Sequence, residues 1–115
     1  EPIDALRELL QKIAELNASG EWVNCRLILR LTDEVNQHPP ELRARIQDFW
    51  RWYNGALEEL ISRCRAAGQI KTDISPKLQT RLVLAIMTGS IILDETAAPG
   101  PPLSETAKAI IHFLQ

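Results

Sequence analysis

Apolar residues recur roughly every three to four positions along most of this chain, and no stretch sustains polar–apolar alternation. That period belongs to helices with a buried side, and the pattern predicts five of them. The first spans Pro2 to about Leu16, where Ile3, Leu6, Leu9, Leu10, Ile13 and Leu16 form a stripe opposite Arg7, Glu8, Gln11 and Lys12. Pro2 suits the opening turn, where a missing N–H costs nothing. Asn17 to Gly20 is expected to end it.

The second helix is expected over about Glu21 to Gln37. Trp22, Cys25, Leu27, Ile28, Leu29, Leu31 and Val35 sweep more than half its circumference, which requires cover on more than one side. His38-Pro39-Pro40 separates it from a long third helix, Pro40 to about Ala67. The stripe of that helix is Leu42, Ile46, Phe49, Trp50, Tyr53, Leu57, Leu60, Ile61 and Cys64. Gly68 fits the left-handed position after its last turn, with Ile70 placed to fold back.

Ser75-Pro76 reads as an N-cap and first-turn proline for a fourth helix reaching about Glu95. This helix is apolar on two sides. Leu78, Leu82, Ala85, Ile86, Gly89 and Leu93 make one face, and Val83, Leu84, Met87 and Ile91 the other. Thr96 to Pro102 is a proline-rich loop. The fifth helix starts near Leu103, buries Ala107, Ile110, Ile111 and Leu114, and runs to Gln115. The expected fold is an all-α five-helix bundle forming a single domain over residues 1–115.

Composition narrows the function classes. With 45% hydrophobic and 24% charged residues, the chain has ordinary globular make-up. A net charge of −2 lacks the basic surplus with which a lone nucleic-acid-binding domain displaces counterions. The two cysteines, Cys25 and Cys64, sit in no CxxC or Cys/His cluster, so neither a metal nor another cofactor is expected, and thiols in apolar surroundings suit a reducing cytoplasm. No apolar run approaches the roughly 18 residues of a membrane span. No second His or Cys stands one turn from His38 or His112, and no Ser/His/Asp, Cys/His or phosphate-binding glycine pattern supports an enzyme.

From Leu42 to Leu93 the chain resembles TetR-type transcriptional regulators. Leu42-Arg43 opens a long helix carrying aromatics and then Leu57…Leu60-Ile61, closed by Ala66-Ala67-Gly68-Gln69-Ile70 and followed by Asp73-Ile74-Ser75-Pro76. A hydrophobic helix with a central glycine, Gly89, comes next. Upstream, Cys25-Arg26-Leu27-Ile28…Glu34-Val35 resembles a subgroup in which a Gly-Cys pair opens the second helix, although Asn24 stands here in place of that glycine and Arg30 in place of a smaller residue. The resemblance implies a C-terminal effector-binding and dimerisation domain. It also implies a homodimer built mainly from the last two helices, and DNA contact only through a separate N-terminal helix-turn-helix. A chain opening on Glu1-Pro2 without methionine is accordingly expected to be a fragment of a longer protein.

Each candidate residue has a plainer reading beside the functional one. Gly89 in mid-helix costs about 1 kcal/mol against alanine. With Ala85 it forms a small-residue strip that serves either close packing within one subunit or contact with a second. Leu82, Leu93, Ile110 and Leu114 join these two as candidate dimer residues. For the effector site the candidates are Trp22, Asn24, Ile28, Phe49, Trp52, Tyr53 and Met87, around a small hydrophobic or aromatic ligand of little charge. Phe49 and Tyr53 also fit plain core. Trp52, about 110° off the stripe at 100° per residue, fits a half-exposed surface, an interface or a pocket wall. Asn24 fits a structural hydrogen bond as well as a ligand contact, and Cys25 a core position as well as a redox sensor. A helical adaptor that binds only protein is the rival function.

Overall fold

The computed structural model describes residues 1–19, 30–96 and 100–115. These contain α1 (Pro2–Ser19), the helical residues 30–33 (α2), a 3-10 turn at Val35–Gln37, α3 (Pro40–Ala66), α4 (Pro76–Glu95) and α5 (Leu103–Leu114). Among the described residues there is no strand, and the architecture is all-α. Most of the expected second helix, including Trp22, Asn24, Cys25 and Ile28, lies outside the described residues.

Helix α1 continues past its expected end at Leu16. Asn17 stays on the buried side, a turn after Ile13, and the Ser19 hydroxyl donates to the Leu16 carbonyl at 3.2 Å. Leu9 falls at the flank of the stripe and is exposed, whereas Ile3, Leu6, Leu10 and Ile13 are buried.

A single cluster of buried side chains joins α1, the C-terminal half of α3, one face of α4 and the inner face of α5. Leu6 and Leu10 meet Leu57, Ile61 and Cys64, with Val83, Met87 and Ile91 from α4 and Ala107, Ile110, Ile111 and Leu114 from α5. Full burial of such side chains contributes roughly 1.5–3 kcal/mol each, so this cluster supplies the main driving force. The Gln11 amide adds a bond from α1 to the Ser104 carbonyl of α5 at 3.2 Å.

The α3–α4 connection is fixed by backbone chemistry. Gly68 adopts φ 72°. The Gln69 and Gly68 amides donate back to the Cys64 and Arg65 carbonyls, each at 3.0 Å, which is the Schellman pattern of a helix end. Ile70 then returns to the core at 6% exposure. Ser75 caps α4, its hydroxyl accepting from the Leu78 amide at 3.1 Å, and Pro76 occupies the first turn. Two further bonds clamp the connection to its neighbours. The Lys71 amide donates to the Leu114 carbonyl at 2.7 Å, and the Ile3 amide donates to Gln69 Oε1 at 2.9 Å.

Candidate functional site

Two features remain once the core is accounted for. The first is an open-sided cleft of about 540 Å³ between α3 and α4. Helix α3 offers Trp50, Arg51 and Asn54 from successive turns, α4 offers Arg81, Leu84, Ala85 and Thr88, and Thr32 also lines it. Its volume falls in the range of about 300–1,000 Å³ usual for small-molecule sites.

Trp50 gives this cleft a fixed wall. Its indole Nε1 donates to Thr32 Oγ1 at 2.6 Å, and its ring meets Phe49 edge-on at 5.3 Å and Tyr53 at 6.2 Å. An indole held at both its polar and apolar parts presents a preset surface. Arg51 is tied to Asp48 at 2.9 Å, but both are well exposed, and such a pair adds little stability.

The second feature is the outer face of α4. Because Val83, Met87 and Ile91 are buried, the residues on the other side of the helix turn outward. Leu78 is 47% exposed, Ile86 39%, Ile92 48% and Leu93 60%. Gly89 lies in the middle of this surface. A methyl group added there would meet no atom within 4 Å among the described residues. Close packing among the described residues therefore does not account for the glycine.

Cys64 is fully buried. Burial pushes its thiol pKa above the ordinary value, partly opposed by the positive charge of Arg63. Among the described residues no group of three or more His, Cys, Asp and Glu could hold a metal, and no helix is long and apolar enough to cross a membrane.

The sequence model of the tetracyclin repressor-like C-terminal domain matches residues 2–110. The chain belongs to that family. It is accordingly the regulatory domain of a TetR-type regulator, a family of regulators rather than enzymes. Comparison with curated proteins and with solved structures gives no match.

The structure of this TetR-type domain separates the candidate residues. Met87 is buried at 4% in the core and does not line the cleft, because it belongs to the inner face of α4. Tyr53 packs half-buried against the same core. Phe49 backs Trp50 rather than facing the cleft, and Trp52, 68% exposed, points away from it. Trp22, Asn24 and Ile28 lie outside the described residues. Ile110 and Leu114, expected at the partner surface, are core residues at 3% and 2% exposure, since α5 turns that stripe toward α1. The apolar residue α5 leaves outside is Phe113, 54% exposed, which shares a small recess with Ile74 and Gln79 near the start of α4. Leu82, Ala85, Gly89 and Leu93 do lie together on the outer side of α4.

Stripe position alone assigns Trp50 to the core and Arg81 to solvent. The signal for Trp50 is that its stripe runs on toward the N-terminus of α3, beyond the main cluster, whose α3 members begin near Tyr53.

Proposed function

We propose that this regulatory domain pairs with a second copy through the outer face of α4 and holds a small, largely apolar effector in the α3–α4 cleft. The observation that carries the reading is Gly89 at the centre of an exposed apolar helix face, with no close contact among the described residues to explain it. A symmetric pair presents the same patch twice, so one self-complementary strip suffices. Glycine at its centre allows the two α4 backbones to approach closely.

Ala85 links the two features, since it lines the cleft and also belongs to the outer side of α4. An effector wedged against Leu84 and Ala85 acts on the helix that carries the subunit contact. It shifts the pairing geometry only to the extent that it binds one arrangement more tightly than the other. In a regulator whose DNA-reading segment precedes this domain, that shift changes the spacing of two reading heads. DNA contact belongs to such a segment, because the domain has a net charge of −2.

Light scattering at micromolar concentration tests the pairing. The expected mass is twice the 13.0 kDa chain. A stable 13.0 kDa monomer removes the dimer and favours the adaptor reading, in which the same α4 face receives a different protein.

A further inference from the structure

We infer that the α3–α4 cleft selects a planar aromatic acid, a flat apolar body carrying one carboxylate, with Arg81 as the residue that reads the charge. This inference rests on the reading of the cleft as the effector site, and it gives the ligand of little charge expected from the sequence one carboxylate.

Two arginines, Arg51 and Arg81, line the cleft, and no acidic residue lines it among the described residues. Arg51 has a carboxylate already, that of Asp48 at 2.9 Å. Arg81 forms no ion pair among the described residues, and Lys77 stands one turn before it on the same side of α4. The cleft thus holds an uncompensated cation whose planar fork matches a carboxylate in two-point contact. Asn54 and Thr88 supply neutral hydrogen-bonding groups nearby.

The apolar half of the ligand follows from Trp50 and Leu84. The indole is held by its bond to Thr32 and by the edge contact with Phe49, so its face is available to a flat ring without reordering. A purely apolar ligand would make no use of the Arg81 fork, and a small inorganic anion would leave the indole unused.

Calorimetric titration of the whole chain with biphenyl-4-carboxylate and with its neutral carboxamide tests this. The acid is expected to bind on the order of tenfold more tightly than the amide. That preference should shrink as salt is raised. Arg81→Gln, at an exposed position, should abolish the preference by lowering the acid's affinity to that of the amide, and Trp50→Ala should weaken both ligands. If the amide binds as well as the acid, or Arg81→Gln keeps the preference, the charge selection is wrong while the cleft remains the effector site. If neither compound binds, or both bind Trp50→Ala undiminished, the cleft reading fails together with the inference.

Discussion

Arg65 in the last turn of α3 and Gln79 in the first turns of α4 are joined directly, Nη1 to Oε1 at 2.9 Å, across the connection between the two helices. The same guanidinium nitrogen donates to the Ile74 carbonyl at 2.6 Å, and the Gln79 amide donates to the Lys71 carbonyl at 2.8 Å. Gln79 is 1% exposed, so its side chain is a buried polar group with both ends satisfied.

Gln79→Leu keeps the volume but strips the Lys71 carbonyl of a donor and Arg65 of an acceptor. Arg65 keeps its bonds to the Ile74 and Lys71 carbonyls, so the cost is that of two lost part-buried hydrogen bonds, about 0.5–1.5 kcal/mol each. Urea unfolding of this variant should show a lower midpoint with an unchanged slope. An unchanged midpoint would mean that water replaces these bonds without loss.

The bond from Trp50 to Thr32 gives a second expectation. Thr32→Val leaves the indole N–H without that acceptor, which costs about 1 kcal/mol and frees the ring. Tryptophan emission should change, and binding of aromatic compounds should weaken. Trp50→Ala should weaken it further, while Trp52→Ala should not, because Trp52 is 68% exposed and outside the cleft. Equal losses from the two tryptophan variants would move the site.

The caps between α3 and α4 were legible because they depend on local chemistry, whereas α1 runs to Ser19, past its expected end at Leu16. Ser75-Pro76 and Gly68 act through their own turns, and the structure shows both acting as the sequence implies. The two faces of α4 were legible for a similar reason, since apolar residues covering most of a helix demand two partners. The cleft was less so. A stripe on α3 does not reveal where the opposing helix stops, and Trp50 changes from core to wall at that point. Nor does periodicity show that Arg81, on the flank of α4, borders a hollow rather than open solvent. Ile110 and Leu114 show the converse error. The resemblance placed α5 in the subunit contact, but the richest stripe of α5 is consumed by α1.

Cys64 should be inert in the native state. It is fully buried and its thiol pKa is raised by that burial, so little thiolate forms at neutral pH. In a Cys25→Ser background, labelling by a disulfide reagent should wait for denaturant. The sign for stability follows from linkage. The contribution of the neutral thiol is fully present below the ordinary thiol pKa and is lost as pH rises above it, because the unfolded chain releases that proton first. Cys64→Ala should therefore flatten the alkaline fall in stability, and rapid native labelling would contradict the burial.

The central claim, that one face of α4 packs inward and the other onto a second copy, is tested most directly at Gly89. Sedimentation equilibrium should give twice 13.0 kDa for the unaltered chain and 13.0 kDa for Gly89→Leu, with helical circular dichroism retained in both. Retention is expected because a Cβ at Gly89 meets nothing within 4 Å among the described residues of its own subunit. A Gly89→Leu variant that stays dimeric, or that loses its helical signal, would contradict the account.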